Sequence, residues 1–468
     1  MRTVRLDAGV RWLDDETLLG GAPPRLLRLS KTARDLLKDN ELTVTNPATA
    51  KLADQLLAAG AAHPKNQATT ARPVSVVIPV HNRADELRRL LDALDLPEDS
   101  EVIVVDDASD RDLAGFTPGD KAGFIPGSKA RFIRHEVNRG PAAARNTGLL
   151  AARHEIVAFL DSDVVPEAGW LETLLAHFDD PRVALAAPRI VGLRKAGENA
   201  LTRYEHARSS LDLGPDEALI VPRTRVAYVP SAAMLVRVSA VGDGFAEEMR
   251  VAEDVDLVCR LHADGHRLVY DPAARVAHEH RDTVGPWLDR KAFYGTGAAQ
   301  LALRHPGTVP PVNLSTWAAA VCVLLISQKR WATALAAVIT AVSTARLARA
   351  LKMVREPVKT AARLNAMTLT GAAWQTAGAL TRHWWPLALV GALFSRRIRR
   401  AVAVAAVAEG VADWWQHRGE LDPVRYVAFH RVDDLAYGSG LWWGAVRHRT
   451  TAPLQPRITR GPRRRSRD

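Results

Sequence analysis

The sequence predicts an α/β protein with a mostly parallel central sheet, flanked by a small α+β domain and a helical C-terminal region. Two observations support this prediction. Between residues 74 and 282, β-branched runs such as Val74–Ile78 alternate with leucine-striped helical segments such as Ala84–Leu94. These runs are apolar on both faces, as expected of strands covered by helices on both sides. Nine of the twelve tryptophans fall between residues 312 and 448, in alanine-rich apolar stretches.

The composition limits the classes of protein to consider. A chain of 468 residues is long enough for two or three domains. Its 47% hydrophobic and 25% charged residues exclude a disordered chain. The net charge of +11, concentrated near the C-terminus, indicates a polyanionic partner. Only Cys259 and Cys322 are present, so we expect no disulfide framework and a reducing compartment. The first residues lack the apolar run of a signal peptide.

Residues 1–66 are predicted to form a small α+β, winged-helix-like domain. Short apolar clusters alternate with turns, and helices are expected from Thr32 to Lys38 and from Pro47 to Ala59. The polar segment His63–Pro73 is expected to link this domain to the next. The domain is similar to the small peptide-binding domains of peptide-modifying pathways, a resemblance that implies binding of a leader peptide by strand addition; a structural cap on the next domain is the alternative.

Residues 283–454 are predicted to form a helical, membrane-associated region, followed by a basic tail at 455–468. The apolar stretches Ala318–Ile326 and Trp331–Val342 are separated by Gln328-Lys329-Arg330. Because neither reaches the roughly 20 residues needed to cross a bilayer, the pattern favours helical hairpins that enter one leaflet. A soluble, alanine-rich helical domain is the alternative.

The predicted location is the cytoplasmic face of the cell membrane, with anionic lipid as a partner. Basic residues flank tryptophan-rich apolar stretches there, for example in S-R-R-I-R-R at 395–400. Nucleic acid is not an expected partner, because the chain has no nucleic-acid recognition motif.

Polar residues follow the predicted strands at the sheet edge where open α/β sheets bind ligands. The motifs, in order, are V-V-I-P-V-H-N-R, V-I-V-V-D-D-A-S, G-P-A-A-A-R-N and L-D-S-D-V. Two carboxylates one residue apart after a buried strand are unfavourable unless a positive group, usually a divalent cation, compensates them. Each motif alone has a structural explanation, but together they outline a nucleotide-diphosphate site. The candidate binding residues are Pro79, Val80, Asn82, Arg83, Asp106, Asp107, Arg145, Asp161 and Ser162.

These motifs, with A-E-D-V-D-L from Ala252, resemble the family 2 glycosyltransferases of the GT-A fold. The resemblance covers residues 74–282 and implies a nucleotide-sugar donor with Mn²⁺ or Mg²⁺ as cofactor. It implies Asp163 as a metal ligand and places Asp161 near the ribose or the metal's water shell. It also places Asp107 and Pro79 at the nucleoside. Hard oxygen ligands are those that such cations prefer.

The same resemblance implies Asp254 as the base that removes the acceptor proton. Glu253 is the alternative base or an acceptor-binding residue, and helix capping is the structural explanation for the pair. His278 is expected to complete the metal site; His280 shares its strand face, and a buried structural histidine is the other explanation. The Q-x-x-R-W motif of processive relatives is absent, so extrusion of a polysaccharide is not expected.

Segments outside the core extend the resemblance over nearly the whole chain. L-L-G-G-A-P-P-R-L-L-R-L-S, R-H-P-G-T-V-P-P and D-D-L-A-Y-G-S-G-L-W-W-G are similar to the glycosyltransferase family of the mycofactocin pathway. This implies inverting transfer of β-linked glucose from UDP-glucose to a peptide-derived redox cofactor or its precursor. A lipid or cell-wall glycan acceptor is one alternative. A non-catalytic membrane scaffold is another, disfavoured by the presence of Asp161, Asp163 and Asp254.

Overall fold

The computed structural model describes residues 3–65, 72–111, 113 and 130–459 of the chain. The chain divides into two compact units. The first comprises Met1–Glu198 and Arg208–His280, and the second comprises Asn199–Ala207 and Arg281–Asp468. The chain therefore passes between the units three times. Residues 66–71 of the predicted linker and 460–468 of the predicted basic tail lie outside the described residues.

The N-terminal part of the first unit contains two small antiparallel sheets and two helices. Its elements are β1 (Thr3–Leu6), β2 (Arg11–Trp12), β3 (Thr17–Gly20), β4 (Arg25–Arg28), α1 (Lys31–Asp35), β5 (Glu41–Thr43), α2 (Pro47–Ala58) and β6 (Ala62–Lys65). The sheet orders are β5-β1-β6 and β2-β3-β4. Helix α2 begins where predicted. The side chains of Asn46 and Thr49 each accept a hydrogen bond from the other residue's backbone N–H and so cap its first turn. Helix α1 ends earlier than predicted, and Asp39 and Asn40 then turn the chain in the left-handed conformation.

The rest of the first unit is built on one nine-stranded sheet. Its strands are β7 (Ser75–Val80), β8 (Glu101–Asp106), β9 (Arg131–Arg134), β10 (Ile156–Leu160), β11 (Val164–Pro166), β12 (Val183–Gly192), β13 (Ala218–Leu219), β14 (Ala233–Arg237) and β15 (Arg267–His278). The helices of this stretch are α3 (Ala84–Ala93), α4 (Pro141–Ala151), α5 (Trp170–Leu175), α6 (Ala200–Ala207, in the second unit), α7 (Val238–Val241) and α8 (Glu253–Ala263), with a 3₁₀ turn at Ala176–Asp179.

The sheet is mixed, so the prediction of a mostly parallel sheet holds only in part: six of the nine strands run in one direction, including the parallel pair β12 and β15, and β11, β13 and β14 run in the other. The strand order is β11-β15-β12-β14-β10-β7-β8-β9, and β13 pairs with β15. Strands β10, β7, β8 and β9 are parallel, as predicted. Strand β14, however, lies antiparallel to both β10 and β12. A strand's direction depends on how its connection returns to the sheet, which an apolar pattern does not encode.

Two apolar layers cover the sheet, which confirms the prediction of strands buried on both faces. All six residues of β8 and all five of β10 are buried. Leu87, Leu90 and Leu91 of α3 pack on one face, and Ala142 and Ala144 of α4 pack on the other. Parallel strands alternate with crossover helices, so the carboxyl ends of β7, β8 and β10 share one edge.

The second unit is helical. Besides α6 it contains α9 (Val284–Arg304), β16 (Asn313–Ser315), α10 (Thr316–Ile326), α11 (Arg330–Ala350), α12 (Pro357–Gly378), α13 (Trp385–Phe394), α14 (Arg396–Val404), α15 (Gly410–Gln416), α16 (Pro423–Arg447) and β17 (Arg457–Thr459). Two π-helical turns, Ala379–His383 and Ala405–Glu409, and a 3₁₀ turn, Ala452–Leu454, complete it. Helix α11 has 21 residues, eight beyond the predicted apolar stretch, because alanine, leucine and arginine continue a helix readily.

Candidate active site

The sheet brings the predicted motifs to one edge. Strand β10 lies beside β7, and β7 lies beside β8, so the segments after Val80, Asp106 and Leu160 are neighbours. The start of antiparallel β14 joins them, because Ala233 pairs with Leu160. At the sheet margin, Val164 pairs with His278, which sets the end of β15 beside the D-S-D segment.

Asp163 lies between two nitrogen-bearing side chains. Arg83 Nη1 donates a hydrogen bond to Asp163 Oδ2, and His278 Nε2 lies 3.6 Å from the same oxygen. Asp163 is buried, and although burial opposes ionisation, His278 and Arg83 hold its pKa below the usual range. The backbone supports this geometry, since Glu279 N–H donates to Asp163 O at 3.1 Å.

The donors of this cluster fit a divalent cation. His278 Nδ1 is buried and has no hydrogen-bond partner within the described part of the chain. Asp163 Oδ2 and His278 Nε2 are 3.6 Å apart. Two atoms that ligate one cation, each about 2.0–2.6 Å from it, lie about 3–4 Å apart. Among the residues that the structure describes, no group of three or more metal-ligating side chains occurs. Mg²⁺ commonly uses one or two protein ligands and completes its shell with phosphate oxygens and water.

The arginine that pairs with Asp161 is not the one that pairs with Asp163. Arg145 Nη2 donates to Asp161 Oδ1 at 2.6 Å, and Arg145 Nη1 donates to Glu253 Oε1 at 2.8 Å. The Arg145 side chain is 3% exposed; burial disfavours its charge, but Asp161 and Glu253 raise its pKa further above the ordinary value. Arg145 therefore links the D-S-D segment to the start of α8. Of the predicted metal residues, Asp163 and His278 lie together, while Asp161 contacts Arg145.

The carboxyl group of Asp254 has a pKa raised toward neutral pH. Ser231 N–H donates to its Oδ2 at 3.0 Å, and Val255 N–H donates to its Oδ1 at 2.8 Å. Loss of solvent around the carboxyl group, and then the charge of Glu253, raise the pKa of Asp254 to about 7. Glu253 itself is buried against Arg145, whereas Asp254 keeps partial exposure. The pair predicted from sequence thus separates into a buried ion-pair partner and a more accessible carboxylate.

The loop before α8 is held by α4. Asn146 Nδ2 donates to Phe245 O at 2.8 Å, and Phe245 N–H donates to Asn146 Oδ1 at 2.7 Å. Gly244 adopts a positive φ of +78° close to Asn146, where a Cβ atom would lie 2.3 Å from Asn146 Oδ1. Ala252 then enters α8 with a φ of +66°. These contacts position the Glu253-Asp254 pair at the sheet edge.

Asp106 and Asp107 bind protein groups in this structure. Asp107 accepts hydrogen bonds from the His135 ring at 2.8 Å, Arg139 N–H at 2.9 Å and Gly140 N–H at 2.7 Å. Asp106 accepts from Arg134 Nη1 at 2.5 Å. Asp107 therefore orders the turn that begins α4, whereas Asp106 holds Arg134 of β9. The nucleoside contact expected of both carboxylates stays a prediction.

The remaining predicted binding residues lie at the ends of β7 and β10. Asn82 has a φ of +58°, and its amide group receives a hydrogen bond from Asp110 N–H at 2.8 Å. Val80 and Ser162 are buried, and Pro79 is half-buried. The contribution of these residues to donor binding also stays a prediction.

Sequence reasoning missed several residues that shape the site. Asn146 and Ser231 hold the segments before and beside Asp254, and Glu279 binds both Arg89 and Lys195. Asn146 directly follows Arg145 in the R-N-T-G motif, and this was the available signal for it. Ser231 and Glu279 carry no signal in sequence, because their partners are contributed by distant segments of the chain.

The family model named "Glycosyl transferase family 2" matches residues 75–242 of this chain. The pre-mycofactocin glycosyltransferases of two Mycobacterium tuberculosis strains, CDC 1551 / Oshkosh and ATCC 25618 / H37Rv, are each 46% identical to it over 471 residues. Each alignment covers 97% of this chain and 97% of the relative.

Two further matches are more distant. The succinoglycan biosynthesis protein ExoU of Rhizobium meliloti is 27% identical over 223 residues, covering 42% of this chain and 60% of the relative. A solved mannosyltransferase from Pyrobaculum calidifontis, in complex with GDP-Man and Mn²⁺, is 19% identical, with a TM-score of 0.37; the alignment covers 75% of this chain and 89% of that one.

Proposed function

The chain belongs to glycosyl transferase family 2 and is a glycosyltransferase of the GT-A fold, and from that premise we propose that it transfers glucose from UDP-glucose to pre-mycofactocin, a peptide-derived redox cofactor precursor. The acceptor is supported by 46% identity, over 97% of both chains, to proteins named pre-mycofactocin glycosyltransferase. The reaction is an inverting, single-displacement transfer that forms a β linkage. The observation that carries the chemistry is Asp254, a carboxylate with a pKa near 7 at the carboxyl edge of the sheet.

Asp254 is the base in this proposal. Its ionised carboxylate accepts the proton of the acceptor hydroxyl as that oxygen bonds to the anomeric carbon of the sugar. The bond from that carbon to the diphosphate oxygen breaks in the same displacement, and the diphosphate leaves with the electron pair. Hydrogen bonds from Ser231 and Val255 fix the carboxylate in place.

In this proposal one arginine contacts the negatively charged donor, and a second arginine holds the carboxylates beside it. Arg83 is a third exposed at the end of β7, so its guanidinium is accessible to a diphosphate. Arg145 is buried and acts through its ion pairs with Asp161 and Glu253. A divalent cation held by Asp163 and His278, Mn²⁺ or Mg²⁺, would supply positive charge against the departing diphosphate.

A lipid-linked or cell-wall glycan is the second candidate acceptor. The exposed apolar side chains of the helical unit favour it, because a membrane surface would bring such an acceptor to the enzyme. In both cases the donor chemistry at the sheet edge is the same.

The proposal is tested by measuring turnover of UDP-glucose, UDP-galactose, GDP-mannose and UDP-N-acetylglucosamine by the purified protein, with Mn²⁺, with Mg²⁺ and with EDTA. We expect metal-dependent turnover of UDP-glucose, transfer to pre-mycofactocin and no transfer to lipid-linked glycans. Asp163→Ala should abolish turnover, while Asp264→Ala, an exposed carboxylate on α8's C-terminal side, should retain it. Equal rates in EDTA and Mn²⁺ would refute metal dependence, and turnover of another donor alone would refute glucose.

A further inference from the structure

Exposed apolar side chains are concentrated in the helical unit. Of the 31 large apolar side chains that are exposed in the described chain, 27 lie between Val284 and Ile458. The four in the first unit are scattered singly, as is normal for a soluble surface. Large apolar exposure of this extent marks a surface that meets a partner or a membrane.

The same unit is strongly basic over a long stretch. From Arg290 to Ala408 the chain contains sixteen Lys or Arg residues and one acidic residue, Glu356. A surface with one sign of charge repels a second copy of itself and attracts an anionic partner. This disfavours self-association through the stretch as the reason for its apolar exposure.

Tertiary contacts join the most basic and the most apolar parts of this stretch. Gln328, in the turn between α10 and α11, donates from Nε2 to Arg397 O of α14 at 2.7 Å. Ile398 of α14 packs against Gly391 of α13, and Arg399 Nη1 donates to Ala392 O at 3.0 Å. Two turns that are about 70 residues apart in the chain therefore form one feature, which we name the docking tip: residues 323–331 and 393–400.

The docking tip combines exposed cations with exposed apolar groups. Its basic residues are all exposed: Lys329, Arg330, Arg396, Arg397, Arg399 and Arg400. Its apolar residues Leu393, Phe394 and Trp331 are 69%, 87% and 60% exposed, and Lys329 Nζ lies 5.7 Å from the Trp331 ring centre. Tryptophan beside lysine and arginine is the side-chain combination that favours the headgroup region of a bilayer.

We propose that the docking tip binds the surface of an anionic lipid bilayer, with Trp331, Leu393 and Phe394 inserted at headgroup level and the surrounding cations on lipid phosphates. Nucleic acid shares the phosphate chemistry but offers no apolar phase for Leu393 and Phe394. The tip thus assigns the predicted membrane association to specific residues.

The tip docks on one leaflet and does not anchor a spanning helix. Arg330–Ala350 is the one helix of the described chain long and apolar enough to cross a membrane by length and composition. Its second half, however, carries Arg346 and Arg349, and Ser343 and Thr344 receive hydrogen bonds from Asn365 of α12. The apolar run Trp331–Val342 rises only about 18 Å as a helix, against the roughly 30 Å of a bilayer core.

The test is flotation of the full-length protein with vesicles of phosphatidylcholine alone and of phosphatidylcholine mixed with phosphatidylglycerol, at low and high salt. The charge variant replaces Arg396, Arg397, Arg399 and Arg400 with Gln, and the insertion variant is Leu393→Ser with Phe394→Ser. The control replaces four exposed cations of the first unit, Arg25, Lys31, Lys51 and Arg131, with Gln. Thermal unfolding of each variant checks that the fold is retained, as expected where the changed side chains are exposed.

We expect binding to the anionic vesicles, weakened by salt, with little binding to phosphatidylcholine alone. The charge variant should lose about fivefold in partition coefficient for each cation removed. The insertion variant should lose the part of vesicle binding that persists at high salt. The control should bind like the wild type. Equal loss in the control would make the effect one of net charge and overturn the proposal. The proposal would also be overturned if the folded wild type did not bind, or if it preferred DNA to anionic vesicles. Membrane association that resists alkaline carbonate extraction would overturn it as well.

Discussion

At the scale of single residues, the neighbouring carboxylates of the site have different partners. Asp163 lies against His278 and Arg83, Asp161 and Glu253 lie against Arg145, and the pKa of Asp254 is raised. Adjacent helix positions point in different directions, so Glu253 and Asp254 meet different surroundings although they are consecutive. Burial and neighbouring charge, and not residue type, therefore distinguish these carboxylates from one another.

Asp254→Asn is expected to reduce kcat by at least about 10³-fold, because the acceptor hydroxyl loses its base. The measurement is steady-state transfer of glucose to the acceptor. Asp243→Asn changes an exposed carboxylate in the preceding loop and should keep near wild-type activity. A loss of less than tenfold in Asp254→Asn would assign the base to another residue.

The pH profile should follow the ionisation of Asp254. Because only the ionised carboxylate accepts a proton, kcat/KM should rise about tenfold per pH unit below its pKa of about 7 and level off above it. Glu253 contributes to the raised pKa of Asp254, so Glu253→Gln should move the rise to lower pH. Glu172→Gln, an exposed carboxylate on α5, is the matched charge control. An alkaline shift in Glu253→Gln would contradict the electrostatic assignment.

At the scale of elements, the helical unit depends on close backbone packing. Helices α9 and α16 approach so closely that a Cβ atom on Gly440 would lie 1.7 Å from Ala292 O, and one on Gly444 would lie 2.5 Å from Thr296 O. A Cβ on Gly295 of α9 would lie 2.1 Å from Tyr437 O. These residues have ordinary helical backbone conformations, which any residue can adopt. Glycine is required because the neighbouring helix backbone leaves no room for a Cβ atom.

Gly440→Ala should therefore lower the free energy of unfolding by about 1–3 kcal/mol or more, as overpacking pushes α9 and α16 apart. Gly371→Ala, in α12, is the matched control, because a Cβ atom added there would meet no atom of another described side chain or helix within 4 Å. That control should stabilise the helix by about 0.5–1 kcal/mol. Thermal and denaturant unfolding measure both changes; equal effects of the two substitutions would refute the packing assignment.

At the scale of the whole molecule, α6 belongs to a different structural unit from the segments that precede and follow it in sequence. This helix lies between two strands of the first unit's sheet in sequence but packs with the C-terminal helices. Glu205 receives hydrogen bonds from Trp287 Nε1 at 2.9 Å and Lys291 Nζ at 3.0 Å, and Tyr204 OH donates to Asp433 at 3.3 Å. Lys291 is buried between Glu205 and Asp433, so removal of the C-terminal helices would leave a carboxylate of α6 without its cation.

Truncation after residue 280 should consequently unfold α6 while the first unit keeps its own core. Limited trypsin digestion should cut the truncated protein rapidly after Arg203, whereas the full-length protein should resist cleavage there. Cleavage after Arg88 of α3, which packs on the retained sheet, should be unchanged and serves as the internal control. Equal resistance at Arg203 in both proteins would show that α6 needs no support from the C-terminal helices.

The sequence alone predicted the sheet edge of the candidate site and the residue types found there. Continuous β-branched runs predict strands β7, β8 and β10, and the polar residues directly after them predict the edge at which Arg83 and Asp163 make contact. These features are local, since a strand, its end and a capped helix are encoded within about ten residues. The family resemblance is likewise carried by short, ordered motifs.

Only the tertiary structure decided the features that depend on distant segments. The direction of β14, the Arg145 bridge from Asp161 to Glu253, the contact of Gln328 with Arg397 and the placement of α6 each join residues far apart in the chain. A local pattern specifies which face of an element is apolar, but not which other element covers that face. The pKa of Asp254 belongs to this second class, because it is set by burial and by the charges that the fold brings around it.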